Sequence, residues 1–300
     1  MKISAFPKCY LDDISVHRTM SVFDWIEMAK ELGAEGLEMY VGFFPTWEDA
    51  FVDSVAEAAH DAGFVIPMLC CSPDFTNPDP DYRKREIEKE ADMIRVMRRM
   101  GGPGSVCRIL SGQAYPEVPL EQGLEWVVDA IQQLIPVARE HDVVLGMENH
   151  YKDGYWKYVE FAQKMSVFLR VLDAIPERKH FGVQYDPSNA IVAGDDPIEL
   201  LERTVDRVVA MHASDRYLAE GTTLDDLRQS DGTIGYSPNL RHGVTGKGLN
   251  DYDKIFSILS AAGYDGWVSI EDGMNGMGEM KESIDFLKRM RDKYFPQQPH

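Results

Sequence analysis

The sequence predicts a single closed (β/α)8 barrel, the TIM-barrel class, on three observations. Eight short strand-like runs alternate with amphipathic helical patterns from end to end, no low-complexity linker divides the 300 residues, and polar side chains gather at the ends of the later strands. A chain of this length fits one such barrel, which commonly takes about 250 residues or more.

The strand-like runs are 2–6 (KISAF), 36–40 (GLEMY), 65–71 (VIPMLCC), 106–111 (VCRILS), 143–149 (VVLGMEN), 181–186 (FGVQYD), 207–213 (RVVAMHA) and 266–271 (GWVSIE). Helical patterns fall near 21–33, 47–62, 81–101, 120–141, 158–175, 197–206, 251–262 and 279–294. Gly33, Gly63, Gly101 and Gly263 stand where a helix ends in a left-handed cap. A doubly wound open sheet is the competing arrangement, but its dinucleotide form wants G-x-G-x-x-G after the first strand, and FPKCYLDD lacks it. The expectation is one domain over 1–300, with a long connection at about 216–250 crossing the C-terminal face. In the third helix, Ile87, Met93, Ile94, Met97 and Met100 follow helical spacing and read as core, with Arg, Lys and Glu on the solvated side.

Composition removes several function classes. Lys and Arg number 31 against 50 Asp and Glu, a net charge of -19, which repels nucleic acid and anionic membranes. No apolar run approaches the roughly 20 residues of a membrane helix, and the start MKISAFPKCYLDD lacks the apolar core of a signal peptide, so a cytoplasmic protein is expected. Cys9, Cys70, Cys71 and Cys107 have neither C-x-x-C spacing nor the density of a disulfide scaffold, and read as reduced core thiols.

In a β/α barrel, chemistry collects at the C-terminal ends of the strands. The fifth run ends in Glu148-Asn149-His150, the sixth in Asp186, the seventh carries His212 and the eighth ends in Glu271, so four candidate ligands converge on one mouth. Three carboxylates and one imidazole suit one divalent metal ion, Mn²⁺ first, with Mg²⁺, Co²⁺ or Zn²⁺ as alternatives. The metal would also relieve the repulsion among the carboxylates. Strand alternation puts His150 on the face of Glu148, where a neutral imidazole is suited to proton transfer near neutral pH.

Taken together, MAKELGAEGLEMY, MENHYK, YDPSN, HASD, TGKGLNDYDKIFSIL and GYDGWVSIED resemble the xylose isomerase-like barrel superfamily, the sugar phosphate isomerase/epimerase group, over the whole chain. The resemblance implies that Glu148, Asp186, His212 and Glu271 bind one divalent metal, and that Glu148 and Glu271 can act as an acid and base pair. It implies proton abstraction next to the carbonyl of a keto-sugar, giving isomerisation or epimerisation. His150 departs from the 3-epimerase pattern and is a third candidate base. The ENH strand end and the aromatic loops also resemble the barrel subunit of C-glycoside deglycosidases, which would imply elimination of an aglycone from a 3-oxo-glucoside, with a small partner subunit. A homo-oligomer is the other expected assembly. Abasic-site nucleases share the barrel but want a basic groove, against which the charge argues, and a non-catalytic sugar-binding barrel would want incomplete ligands.

Aromatic residues follow several strands: Phe43, Phe44 and Trp47, then Tyr115, then Tyr151, Tyr155 and Trp156, then Tyr217 and Tyr236. Such rings suit a sugar or glycoside. Arg216, Arg241, His242 and Lys247 are the cations of the long loop best suited to hold an anionic or hydroxyl-rich substrate end. The candidate substrate contacts are Trp47, Tyr115, Lys152, Trp156, Asn189, Asp215, Arg216 and His242.

Overall fold

Strand alternation organises the molecule, and the computed structural model describes it for residues 1–229, 239–271 and 273–296. The barrel strands are β1 (Lys2–Ala5), β2 (Gly36–Leu37), β3 (Met39–Tyr40), β4 (Met68–Cys70), β5 (Val106–Ile109), β6 (Val144–Glu148), β7 (Phe181–Tyr185), β8 (Val208–Ala213) and β11 (Trp267–Ile270). Two more, β9 (Arg216–Leu218) and β10 (Leu240–His242), pair antiparallel in the long connection after β8. The barrel order is β2-β1-β11-β8-β7-β6-β5-β4-β3. Its two ends, β2 and β3, are halves of the expected run 36–40 interrupted at Glu38, so the parallel sheet closes through that run and the expected (β/α)8 barrel is present.

Successive side chains point to opposite faces of a strand. Outward-facing Leu145, Met147, Val183, Tyr185, Met211, Val268 and Ile270 join the large apolar core beneath the helices. Their inward neighbours are Gly146 and Glu148, Gln184 and Asp186, His212, and Ser269 and Glu271. Met68, Cys70, Val106 and Ala210 form a separate small apolar cluster. The helix-facing side therefore carries the packing, and the lumen side is free to hold polar groups.

The helices are α1 (Leu11–Ser15), α2 (Val22–Ala29), α3 (Asp49–Asp61), α4 (Pro80–Gly101), α5 (Leu120–His141), α6 (Met165–Ala174), α7 (Pro187–Ala193), α8 (Pro197–Thr204), α9 (Leu224–Gln229), α10 (Tyr252–Ala261) and α11 (Met277–Tyr294). Short polar caps start several: Ser21 and Asp24 form a capping box on α2, and Asp196 and Asp251 cap α8 and α10. On α4, Met93, Ile94, Met97 and Met100 are buried, as their spacing requires.

Two local expectations need correction. Gly33, Gly63 and Gly263 have positive φ, but Gly101 is the last residue of α4 and Gly102 takes the positive φ of 76°. The helix expected over 158–175 begins only at Met165, because the backbone of Val159 and Phe161 bonds to Ala114 and Gly112 and Glu160 bridges Gln113. Gly112 permits that approach, since its φ is 109° and a Cβ there would meet Thr76 Oγ1 at 2.4 Å. None of the described helices is long and apolar enough to cross a membrane. Tyr236 and part of the loop over 216–250 lie outside the described residues.

Candidate metal centre and its cavity

Parity and strand length deliver four side chains to one point. Glu148 ends β6, Asp186 follows β7, His212 lies on β8 and Glu271 follows β11, and one donor atom from each lies within 4.8 Å of all the others. His212 Nδ1 is 3.2 Å from Glu148 Oε1, 3.5 Å from Glu271 Oε2 and 4.0 Å from Asp186 Oδ2. Its other nitrogen, Nε2, is 2.8 Å from Glu38 Oε1, which also accepts from the Cys70 thiol at 2.7 Å. Nδ1 is thus turned to the cluster, and Nε2–H donates to a buried carboxylate behind it.

Asp186 has two separate duties. Its Oδ1 accepts from Asn189 N–H at 3.0 Å and Ser214 Oγ at 2.7 Å, capping α7, while Oδ2 is buried with no hydrogen-bond partner among the described residues. Asn149 pins the backbone at Asp186, donating to its carbonyl at 2.7 Å and accepting its N–H at 2.8 Å. Two cations complete the ring: Arg108 Nη1 is 2.8 Å from Glu148 Oε2, and Lys8 Nζ is 2.8 Å from Glu271 Oε1. The Arg108 fork is fixed by the Cys71 carbonyl at 3.1 Å and Ser72 Oγ at 3.0 Å.

The charges explain the titration of the centre. Burial would raise Glu148, but His212 and Arg108 outweigh it and carry it down to about 2. Glu271 goes the same way, Lys8 and His212 overcoming burial. Asp186 has neither Arg108 nor Lys8 beside it and His212 only at 4.0 Å, so burial, Glu148 and Glu271 push it up to about 6. With His212 as the neutral imidazole that a metal ligand must be, Glu38, Glu148, Asp186 and Glu271 set four carboxylates against the two cations Lys8 and Arg108, a surplus of two negative charges when all are ionised. A surplus of two, an unpartnered Asp186 oxygen and an O/N donor set fit one divalent cation.

The centre opens on a cavity of about 550 Å³, inside the usual range for small-molecule sites. His150, Tyr151, Lys152, Tyr155 and His242 line it together with Lys8, Arg108 and Glu271. His150 Nδ1 faces Glu160 Oε2 at 3.2 Å, off the line of an ideal hydrogen bond, and neither atom has another partner. Burial opposes protonation of His150, but Glu148 and Glu160 outweigh it and raise the imidazole above its ordinary value. Glu160 is itself fixed, its Oε1 accepting from Ser111 N at 2.8 Å and Oγ at 2.9 Å. His242 is pushed down to about 3 by burial, Arg216 and Lys8.

Of the expected substrate contacts, Lys152 and His242 line this cavity, and Asn189 lies against the metal cluster, its Nδ2 3.1 Å from Glu148 Oε1. The others are placed elsewhere. Trp47 stacks on Phe44 at 4.8 Å and the Tyr115 hydroxyl donates to Asp74 at 2.7 Å, while Trp156 follows the cavity-lining Tyr155 in a turn closed by its backbone N–H on the Asp153 carbonyl. Asp215 is buried and accepts backbone N–H groups from Arg216, Gly246, Gly248 and Asn250, which ties the two ends of the long loop together. Arg216 is buried with its guanidinium 4.8 Å over the Tyr151 ring.

Lys8, Glu38, Arg108 and Glu160 escape a search confined to the ends of the later strands. The signal was a charge inside an apolar run: Glu38 in GLEMY and Arg108 in VCRILS sit at inward positions.

Solved structures share the whole architecture. A D-tagatose 3-epimerase-like protein superposes with a TM-score of 0.75 at 16% identity, covering 98% of each chain. The IOLI protein with a bound zinc atom gives 0.74 at 16%, covering 99% of this chain and 100% of its own. A 3-keto-D-glucoside 4-epimerase from E. coli gives 0.69 at 16%, covering 97% and 99%. Curated relatives include inosose dehydratases of Geobacillus kaustophilus, 28% identical over 152 residues (49% of this chain, 45% of the relative), and of Lacticaseibacillus casei, 23% over 172 residues (56% and 53%). The chain spans about half the length of these curated relatives. Residues 26–290 match the family model of the xylose isomerase-like TIM barrel, and the chain belongs to that family.

Proposed function

We propose that the protein is a divalent-metal-dependent enzyme that removes a proton from the carbon beside the carbonyl of a keto-sugar, and that His150 is the base. One observation carries this assignment. Both strand-end glutamates are held by cations at 2.8 Å, Glu148 by Arg108 and Glu271 by Lys8, whereas His150 lines the cavity with a carboxylate behind its ring. A carboxylate tied to a cation and carried below its usual range is a weak base near neutral pH.

Glu148, Asp186, His212 and Glu271 hold the cation, which when bound supplies Lewis-acid polarisation of a carbonyl oxygen. The Glu160 carboxylate 3.2 Å from His150 Nδ1 favours a proton on that nitrogen, leaving Nε2 for the proton taken from substrate. Arg108 and Lys8 keep Glu148 and Glu271 ionised as ligands. Return of the proton to the other face gives epimerisation, and its return to the adjacent carbon gives isomerisation. Loss of a β-substituent gives elimination, a reading favoured by the likeness to inosose dehydratases; an aglycone as that substituent is favoured by Tyr155 and Met274, apolar at the cavity rim and 69% and 44% exposed.

The test is deuterium exchange from D₂O, with Mn²⁺ present, into ketohexoses, inososes and 3-oxo-glucosides. Exchange beside the carbonyl is expected for one class. His150→Ala should keep its metal and lose turnover by about 10²–10⁴-fold, whereas Glu148→Gln should lose metal and turnover together. Normal exchange in His150→Ala would return the base to a glutamate.

A further inference from the structure

A second cluster lies on the helix-facing side of the barrel, where α4 packs on β4 and β5. Cys107 follows Val106 in β5 with its side chain turned outward, next to Arg108, whose side chain turns inward. Cys71, just beyond β4, joins it, and Glu90 reaches both from α4. All three are at most 2% exposed, and one donor atom from each lies within 4.8 Å of the others. The sulfurs are 3.9 Å apart, and Cys107 Sγ is 3.2 Å from Glu90 Oε1.

These distances suit a shared cation better than a covalent bridge. Register pairs Cys107 with Leu69, so Cys71 stands two residues along the neighbouring strand. A strand spacing of about 4.8 Å and a two-residue rise of about 6.6 Å put the two Cα atoms roughly 8 Å apart, beyond the ~7 Å reach of a disulfide. By contrast, two ligands about 2.3 Å from one tetrahedral ion lie roughly 3.8 Å from each other, close to the 3.9 Å between these sulfurs.

Among the described residues Glu90 also forms no ion pair. It is buried at an apolar helix–sheet seam, where its hydrogen bonds come from the two thiols, and burial pushes it up to about 7. A charged carboxylate without a cation is costly there. We propose that Cys71, Glu90 and Cys107 form a second, buried binding site for a thiophilic d¹⁰ cation of the Zn²⁺ class, separate from the carboxylate-rich centre in the lumen. The site would brace the strand tips that aim Arg108, because Cys107 adjoins Arg108 and the Cys71 carbonyl accepts from its Nε.

Cadmium is the probe, since thiolate-to-cadmium charge transfer absorbs in the ultraviolet. The full chain, stripped of metal, is titrated with Cd²⁺ both folded and while refolding from urea. The wild type should bind two Cd²⁺ per chain and show the thiolate band. Glu148→Gln/Asp186→Asn should bind one and keep the band, and Glu90→Gln should bind the thiolate-site cation at least tenfold more weakly. Cys71→Ser/Cys107→Ser should lose the band, whereas Cys9→Ser/Cys70→Ser should keep it. X-ray absorption on the cadmium-loaded Glu148→Gln/Asp186→Asn chain should count two sulfurs, a readout independent of how the serine variants fold. No thiolate band in either titration, a band that persists in Cys71→Ser/Cys107→Ser, or fewer than two sulfurs would overturn the proposal.

Discussion

The two halves of the barrel mouth contribute opposite things. The later strands, β6, β7, β8 and β11, deliver the acceptors Glu148, Asp186, His212 and Glu271. The earlier ones bring Lys8, Glu38 and Arg108, each in contact with one member of that set: Glu271, His212 and Glu148 respectively. Buried carboxylates in this number are tolerated only when the facing wall supplies partners. The early half is therefore the electrostatic counterpart of the late half, and the two cannot be altered independently.

The strongest way to break this relation is to remove its most buried cation. Arg108→Leu keeps apolar volume but strands Glu148 in the lumen, where the pair partner is fully buried. Removing one member of a buried pair costs about 3–5 kcal/mol, so the metal-free variant should unfold at a clearly lower urea concentration than wild type. Part of the loss should return with Mn²⁺, which replaces the missing positive charge. A metal-free midpoint equal to wild type would mean that Arg108 does not carry the charge balance assigned to it.

This division also explains what could be read from the sequence. The barrel was legible because strand and helix periods alternate along the whole chain, and the convergence of Glu148, Asp186, His212 and Glu271 was legible because the ends of consecutive barrel strands meet at one mouth. Glu38 and Arg108 were harder because they interrupt runs of strand formers, where a polar residue reads as a flaw in the pattern until inward parity is worked out. Glu160 was hidden by a helical pattern that the chain declines in favour of a bridge to Gln113. Trp47 and Tyr115 show the reverse ambiguity: an aromatic ring after a strand has the same sequence signature whether it meets a ligand or, as here, Phe44 and Asp74.

A smaller effect separates Asp186, which has neither Lys nor Arg beside it, from Glu148 and Glu271, which each have one. Asp186 is pushed up to about 6 from a usual 3.8 by burial, Glu148 and Glu271. A raised carboxyl holds its proton more tightly folded than unfolded. In the metal-free protein its contribution is therefore complete below about pH 4 and lost as pH rises through about 6. Asp186→Asn has no such loss, and its amide oxygen can still accept from Ser214 and Asn189. Without metal, Asp186→Asn should exceed wild type by roughly 3 kcal/mol at pH 8 relative to the difference at pH 4. Urea titrations with a chelator at the two pH values read this directly; a difference that does not change with pH would sink the assignment.

The finest test asks whether the early half only balances charge or also aims a ligand. His212 Nε2 lies 2.8 Å from Glu38 Oε1, and an anionic acceptor there fixes the ring and makes Nδ1 a better donor to a cation. Glu38→Gln keeps an oxygen for Nε2–H but removes the charge, so affinity for Mn²⁺ should fall about 10–100-fold, while the far-ultraviolet spectrum stays that of wild type. Competition against a chelator of known affinity measures the change. An unchanged affinity would assign the ring's orientation to Gln184, whose amide nitrogen lies 3.1 Å from Nδ1 and 2.8 Å from Nε2. In that case the early strands supply charge to the centre but not aim.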